Sequence, residues 1–296
     1  MIEKSLRTML FVPGHLPRFL EKAAHTDADA VILDVEDSVP LPHKAAARQN
    51  IKDCLERGIY RQQIFIRVNA ADTGMLAEDL RWTTHPATTG FMFTKVCDER
   101  DILYFDRLLT QMEREAGLEE GKSKMCPLIE TACAGLHTFQ IATASPRLVA
   151  LAFGGEDYLT DLDGLHRKHG LGFLVPRALL VMAARAARLE AIDTPYLDIA
   201  DDEGFTREVT LARELGFSGQ LVIHPSQIPI ANRVFSPSEE EVREATRIVD
   251  AIEEGRRKGL GVGLLDGSLI GPPMEKRARA VLRKVDRMRR DGKAPQ

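Results

Sequence analysis

Short apolar segments alternate with longer helical patterns along most of the 296-residue chain. The apolar segments have few polar interruptions, which is typical of strands that are buried on both faces of a parallel sheet. Eight segments have this character and are predicted to be strands. They are residues 8–12, 30–35, 64–68, 91–96, 125–129, 148–153, 192–197 and 221–224.

Helical patterns fill intervals between these strands. Residues 44–56 carry apolar side chains at helical spacing, and residues 177–190 are rich in Ala, Leu and Arg. A third pattern covers residues 203–215, and Gly216 is predicted to end that helix. Because each strand precedes a helix, the pattern predicts an α/β fold built from repeated strand–helix units.

Eight such units predict a closed (β/α)8 TIM barrel, which we expect over residues 1–236. An open doubly wound sheet is the alternative. No GxGxxG motif follows the first strand, where the chain reads Val12-Pro13-Gly14-His15. The sequence therefore favours the barrel.

Residues 237–296 are predicted to form a C-terminal helical extension that serves as a lid or an oligomer contact. Ser238 can cap a helix that starts with the acidic run 239–241 and continues to about residue 258. A glycine-rich segment follows and predicts turns. The last helix, residues 274–290, carries many Lys and Arg residues, which we interpret as a solvated face rather than a polyanion site.

Composition and charge exclude several classes of protein. The chain is 44% hydrophobic and 28% charged, which is typical of a globular protein with a substantial core. A net charge of −4 argues against an electrostatic nucleic-acid binder, and no apolar run is long enough to span a membrane. The four cysteines form no CxxC pair, so we interpret them as free thiols in a reduced, cytoplasmic compartment.

Polar residues that end the predicted strands are the candidates for chemistry, because TIM barrels build their active sites at the carboxyl ends of the strands. Glu130 ends the fifth strand and Asp157 lies just past the sixth. Two converging carboxylates suit Mg²⁺, which keeps several water ligands that substrate oxygens can replace. The alternative is that both are ordinary loop acids or helix caps.

Arg67, on an otherwise apolar third strand, must find an anionic partner, since an unpaired buried charge is costly. The partner is either Glu36 or Asp37 in a structural ion pair, or a substrate carboxylate that matches the guanidinium fork. The crowded acids Asp34, Glu36 and Asp37 imply a nearby cation or a shared proton.

The motifs together resemble those of the HpcH/HpaI aldolase and citrate lyase β-subunit (CitE-like) family, which includes malyl-CoA and citramalyl-CoA lyases. The resemblance covers about residues 7–280. The motifs are Arg7-Thr8, Phe11-Val12-Pro13-Gly14, Leu33-Asp34-Val35-Glu36-Asp37-Ser38-Val39, Arg67-Val68-Asn69, Ile129-Glu130-Thr131, Gly155-Glu156-Asp157 and Ile223-His224-Pro225-Ser226-Gln227.

The resemblance implies a barrel that assembles into trimers or hexamers, with Mg²⁺ held by Glu130 and Asp157. It implies that Arg67 grips the carboxylate of a keto acid. It also implies that backbone N–H groups around Gly155 and Glu156 help to hold that carboxylate. Arg7 and Lys44 would lie toward the CoA moiety. From the residues alone, Lys44 and Arg7 could meet phosphates, but a solvated surface cation is the more common case.

The family's lid segment carries a catalytic Asp where this chain has Gly271, and Thr94 replaces the family's usual proline. We expect a Mg²⁺-dependent carbon–carbon lyase that cleaves citramalyl-CoA or malyl-CoA, with Glu36, Asp37 or water supplying the proton. One alternative is a citrate lyase β subunit that acts on citryl groups carried by an acyl-carrier protein. Another is a protein that binds keto acids or CoA esters without turnover.

Overall fold

The computed structural model describes residues 5–165 and 171–292. Eight parallel strands close into one barrel in chain order. The strands are β1 (Thr8–Pro13), β2 (Ala30–Asp34), β3 (Gln63–Arg67), β4 (Gly90–Phe93), β5 (Lys124–Ile129), β6 (Ala150–Phe153), β7 (Glu190–Asp193) and β8 (Gly219–Val222). The first and last strands pair directly, with Leu10 opposite Val222, so the predicted TIM barrel is confirmed and the open sheet is excluded.

Helices follow the strands and cover the barrel. The first ten are α1 (Pro17–Ala23), α2 (Lys44–Arg57), α3 (Leu76–Thr83), α4 (Glu99–Glu115), α5 (Ala132–Leu136), α6 (Thr138–Thr143), α7 (Gly155–Asp161), α8 (Leu171–Ala186), α9 (Asp202–Leu215) and α10 (Gln227–Phe235). Single 3₁₀ turns lie at Leu41–His43 and Ala71–Thr73. As predicted, Gly216 ends α9 in a left-handed conformation.

Several predicted boundaries were wrong, and the largest errors concern α8 and β7. The helix expected over residues 177–190 is α8, which starts earlier and ends at Ala186, because Arg188 turns into the left-handed region at φ 61°. Glu190 then pairs with Ala150 as the first residue of β7. The strand expected over residues 192–197 stops at Asp193, since Pro195 has no N–H to continue the ladder.

The barrel core is aromatic and aliphatic. Phe65, Phe91, Phe93 and Phe153 are buried on three strands, β3, β4 and β6, and the buried faces of the surrounding helices complete the core. Because every strand of the ring is paired on both sides, the backbone at the strand ends is held in fixed register. This register determines which side chains meet at the carboxyl end.

The chain divides into two compact units, of which the first is Leu6–Asn232 and the second contains the described residues Ser5 and 233–292. In the second unit, α11 (Glu239–Arg257) begins with the predicted Ser238 cap, which forms a capping box with Glu241. The predicted last helix is confirmed as α12 (Pro272–Arg290), and Ala278 packs on Ala245 and Val249 of α11.

The glycine-rich segment of this second unit is more ordered than a simple turn. It forms an antiparallel hairpin of β9 (Gly263–Leu265) and β10 (Ser268–Ile270), joined by Asp266 and Gly267. Both turn residues have positive φ, as the tight hairpin turn requires. Among the described residues, no helix has both the length and the apolar character that crossing a membrane would need.

Candidate active site at the carboxyl end of the barrel

Asp34 and Arg67 form a buried ion pair at the ends of β2 and β3, where the strand register places them side by side. Arg67 Nε donates to Asp34 Oδ1 at 2.8 Å, and Nη2 donates to Oδ2 at 2.5 Å. Burial alone would raise the pKa of Asp34, but Arg67 and hydrogen bonds from Ser38 and Glu36 hold that pKa below its usual value. Asp34 is therefore a fixed anion that orients the guanidinium.

Arg67 makes two further contacts, with Glu36 and Phe11. Its Nη1 lies 3.2 Å from Glu36 Oε2, and the guanidinium carbon lies 4.7 Å from the centre of the Phe11 ring. The expected structural ion pair exists, but its main partner is Asp34 rather than Glu36 or Asp37. The side chain of Arg67 remains 13% exposed, so the Nη1 edge is the part that can face a ligand.

Glu36 is the buried carboxyl group of this cluster whose pKa is raised. Burial raises its pKa to about 7, and the attraction of Arg67 only partly offsets that effect. A carboxyl group with this pKa is partly protonated near neutral pH and can both give and accept a proton. Asp37 differs, because its side chain is exposed; its backbone N–H donates to Glu36 Oε2 at 3.0 Å.

Glu130 and Asp157 converge on a single cationic group. The Lys95 ammonium lies 2.5 Å from Asp157 Oδ1 and 3.6 Å from Glu130 Oε1. The backbone N–H of Lys95 also donates to Glu130 Oε1 at 2.7 Å. Lys95 adopts a left-handed conformation with φ 53°, which directs both groups to the carboxylates. The two acids predicted from the sequence therefore share one cation position.

The two carboxylates differ in environment. Glu130 is buried at the end of β5, and burial raises its pKa to about 7 although Lys95 opposes the shift. Asp157 lies in the first turn of α7 and is 42% exposed. Within residues 5–165 and 171–292, no cluster of three or more His, Cys, Asp or Glu side chains could hold a metal. The pair fits Mg²⁺, which needs one or two carboxylates and completes its shell with water and substrate oxygens.

Gly154 follows β6 and lies beside Glu130, and Gly155 begins α7. The N–H of Gly154 donates to Ile129 O at 3.1 Å, and the N–H of Gly155 donates to Thr194 Oγ1 at 2.9 Å. The expected carboxylate donor at Gly155 thus already has a partner in Thr194. Glu156 follows in the first turn of α7 with an exposed side chain.

The ammonium group of Lys44 is buried and hydrogen-bonded within the protein. Its ammonium donates to Val35 O, Glu36 O and Asn69 Oδ1 at 2.7 to 2.8 Å. An ammonium has three donors, and all three are used here. Lys44 therefore fixes the loop that carries Glu36, and the expected approach of Lys44 to a CoA phosphate stays a prediction.

Arg7 lies at the opposite end of the barrel from Glu130. It precedes β1, and its side chain binds Asp29, which precedes β2, with Nε–Oδ2 and Nη2–Oδ1 distances of 2.9 and 2.8 Å. Both residues are buried at the amino ends of their strands. The side chain of Arg7 is thus held by Asp29, and the expected contribution of Arg7 to CoA binding stays a prediction.

The interpretation of all four cysteines as free thiols was wrong for two of them. Cys97, after β4, and Cys133, in α5, form a disulfide, whereas Cys54 and Cys126 are free and buried. The pairing joins two loops whose cysteines are 36 positions apart in sequence, and only the neighbouring positions of β4 and β5 bring them together.

Sequence reasoning also missed two site residues. Lys95 was missed because its contacts depend on a left-handed backbone that the sequence does not reveal. Thr194 was missed because the seventh strand was placed too far along the chain. A strand that ends before Pro195 would have identified Thr194 as a strand-end residue.

Comparison with known proteins agrees with this geometry. The HpcH/HpaI aldolase/citrate lyase family model matches residues 7–225. Citrate lyase subunit beta of Leuconostoc mesenteroides subsp. cremoris is 34% identical over 282 residues, covering 95% of this chain and 93% of that protein. A (3S)-malyl-CoA thioesterase of Cereibacter sphaeroides is 34% identical over 265 residues, covering 89% of each.

A solved structure is also similar over nearly the whole chain. It is the CitE protein of Mycobacterium tuberculosis in complex with magnesium, acetoacetate and coenzyme A. The identity is 30%, the TM-score is 0.77, and the match covers 96% of this chain and 99% of that one.

Proposed function

The chain belongs to the HpcH/HpaI aldolase and citrate lyase family of enzymes, and we propose that it cleaves a 3-hydroxy-3-carboxyacyl-CoA thioester of the citramalyl-CoA or malyl-CoA type. The products are an acyl-CoA and a 2-keto acid. The observation that carries the proposal is the convergence of Glu130 and Asp157 on one cation position at the carboxyl end of the barrel. Arg67 and Glu36 lie at the same end.

Glu130 and Asp157 would hold Mg²⁺, the ion present in the similar CitE complex of Mycobacterium tuberculosis. When bound, Mg²⁺ would polarise the hydroxyl and carboxylate oxygens of the substrate. Two protein carboxylates leave coordination positions for those oxygens. Lys95 contacts both carboxylates and offsets part of their mutual repulsion.

Arg67 fixes the keto acid half of the substrate through its Nη1 edge. Its other edge is bound to Asp34, so the guanidinium cannot rotate away from the site. Because the guanidinium is already held in place, it does not need to reorient when a substrate carboxylate binds. The bound carboxylate would then lie next to Glu36.

Glu36 carries the proton. Cleavage moves one proton from the substrate hydroxyl to the carbon that becomes the enolate of the leaving thioester. Glu36, with a pKa of about 7, takes the hydroxyl proton as the carbon–carbon bond breaks and returns it to that carbon. Asp37 is less suited because it is exposed. Glu36 thereby replaces the acid that the family's lid carries where this chain has Gly271.

The relatives suggest one alternative substrate and one alternative reaction. The similarity to citrate lyase subunit beta supports a citryl group on an acyl-carrier protein as the alternative substrate. The similarity to a (3S)-malyl-CoA thioesterase supports hydrolysis of the thioester bond as the alternative reaction. Released products separate these outcomes, because hydrolysis yields free CoA and malate whereas cleavage yields an acyl-CoA and a keto acid.

Self-association is part of the proposal. Helix α8 exposes Leu171, Val175 and Met182 at helical spacing, with exposures of 70%, 66% and 59%. Two neighbouring residues, Leu136 and Phe139 of α5 and α6, are also exposed. An apolar face of this size suits a second copy of the chain, in the trimer or hexamer that the family resemblance implies. Light scattering of Val175→Glu against the native protein tests this assignment.

The experiment is a panel of CoA thioesters assayed with and without Mg²⁺, with keto acid release followed by a coupled dehydrogenase. We expect Glu130→Gln and Asp157→Asn each to lower the Mg²⁺-dependent rate more than about 100-fold. Glu203→Gln, a 93% exposed acid on α9, is the matched control and should retain the native rate. Full activity in EDTA would contradict the proposal, and Mg²⁺-dependent binding without product would favour the non-catalytic alternative.

A further inference from the structure

The disulfide between Cys97 and Cys133 joins the two loops that carry the candidate metal-binding region. Cys97 lies two residues after Lys95, and Cys133 lies three residues after Glu130. The Cα atoms of the two cysteines are 5.0 Å apart. Any change in this bond therefore acts on the short segments that position Lys95 and Glu130.

Two hydrogen bonds connect the same loops beside the disulfide. Lys95 N–H donates to Glu130 Oε1 at 2.7 Å, and Thr131 Oγ1 donates to Val96 O at 3.0 Å. These bonds keep the loops together when the covalent link opens, but they leave each loop more conformational freedom. The loops are thus held by one reversible covalent bond and two weaker contacts.

The two bonded cysteines are accessible, unlike the other two. Cys97 and Cys133 are both partly exposed, whereas Cys54 and Cys126 are buried. The sulfur of Cys133 lies 3.6 Å from His137 Nδ1, which also lies 2.9 Å from Cys133 O. Because both bonded cysteines are partly exposed, a reductant can reach this bond.

We propose that Cys97 and Cys133 form a reversible thiol–disulfide site that exchanges with small or protein dithiols and controls the order of the Lys95 and Glu130 loops. A dithiol attacks one sulfur as its thiolate, gives a mixed disulfide, and its second thiol then displaces the other cysteine. The protein disulfide gains two electrons and two protons, and the dithiol becomes a disulfide. Oxidised glutathione supplies the reverse step.

The effect on ligand binding rests on the proposed function: loosening the two loops lowers the affinity for Mg²⁺, because Glu130 loses its fixed orientation relative to Asp157.

The first test counts thiols and follows backbone protection. We expect two free thiols in the native protein, four after a dithiol reductant under native conditions, and two again after oxidised glutathione. Reduction should raise amide hydrogen exchange in residues 95–98 and 131–136 about 10-fold, while residues 63–67 of β3 stay unchanged as an internal reference. Failure of the bond to open or to re-form without denaturation, or unchanged exchange, would overturn the proposal.

The second test uses variants and the metal alone. Cys97→Ser should match the reduced form in both exchange and Mg²⁺ affinity, measured by calorimetry, with affinity about 5-fold weaker than in the oxidised protein. Cys54→Ser should retain the disulfide and the native values. Equal affinity in both redox forms would overturn the link to the metal region. If neither form binds Mg²⁺, the proposed function fails, while the thiol and exchange results still decide the redox site.

Discussion

Gly154 lies against Glu130 so closely that a methyl group on its Cα would come within 2.6 Å of Glu130 Cβ and 2.7 Å of Oε2. The residue at this position must therefore lack a side chain if the Glu130 carboxylate is to keep its place. The path of the backbone after β6 thus determines the direction of the Glu130 side chain, the candidate metal ligand that follows β5.

Gly154→Ala should displace the Glu130 carboxylate and weaken Mg²⁺ binding at least about 10-fold, with a loss of about 1–3 kcal/mol in the free energy of unfolding from overpacking. Calorimetry with Mg²⁺ and urea unfolding measure the two effects. Gly261→Ala is the control, because nothing lies within 4 Å of its added methyl group. Native affinity in Gly154→Ala would contradict the close packing.

Arg67→Lys should lower kcat/KM for the thioester about 100-fold, because a lysine cannot bind Asp34 with two parallel hydrogen bonds and still face the substrate. Steady-state kinetics checks this expectation. The matched control is Arg57→Lys, which changes an exposed ion pair with Glu21 and should leave kcat/KM unaltered. A native rate in Arg67→Lys would remove Arg67 from substrate recognition.

Glu36 should make stability depend on pH in a defined direction. Because its pKa is about 7 in the folded protein and 4.5 ordinarily, the folded state binds the proton more tightly than the unfolded state. That contribution is fully present below pH 4.5 and is lost as the pH rises through 7. Relative to Glu36→Gln, the native protein should lose about 3 kcal/mol of unfolding free energy across this interval.

Urea unfolding of both proteins at several pH values between 4.5 and 8 measures the difference. Glu56→Gln, at an exposed position on α2, serves as the control and should give a curve parallel to that of the native protein. Parallel curves for Glu36→Gln would show that burial does not raise the pKa of Glu36, and the proton-carrying role proposed for it would then fail.

Lys44→Met should destabilise the fold rather than impair CoA recognition. The variant leaves Val35 O, Glu36 O and Asn69 Oδ1 without the buried ammonium, at a cost of about 2–4 kcal/mol. Lys52→Met, on the exposed side of α2, should cost less than about 1 kcal/mol. Thermal unfolding measures both. A selective rise in KM for CoA esters over pantetheine esters would instead return Lys44 to the CoA site.

The strand pattern predicted the barrel and the group of residues at its carboxyl end, because buried parallel strands leave a clear signal and their ends lie together. Asp34, Arg67, Glu130 and Asp157 were all located in this way. Strand ends define which residues reach the rim, and the closed ring then brings them near one another.

The interaction partner of each charged side chain could not be predicted in the same way. Whether Arg67 meets Asp34 or Glu36 depends on rotamers and on register, since Asp34 lies directly opposite it. Lys44 turns inward only because two carbonyls and Asn69 are grouped behind it. Arg7 pairs with Asp29 because both residues precede neighbouring strands at the amino end of the barrel, which the sequence alone does not show.

The connection between the loops after β4 and β5 has a consequence for engineering. Barrel enzymes are commonly redesigned by exchanging one rim loop at a time, which assumes that each loop folds independently. Here Val96 with Thr131, and Cys97 with Cys133, form cross-links between consecutive loops. If only one of these loops were transferred to another barrel, its bonded partner residues would be missing. Both loops should therefore be transferred together.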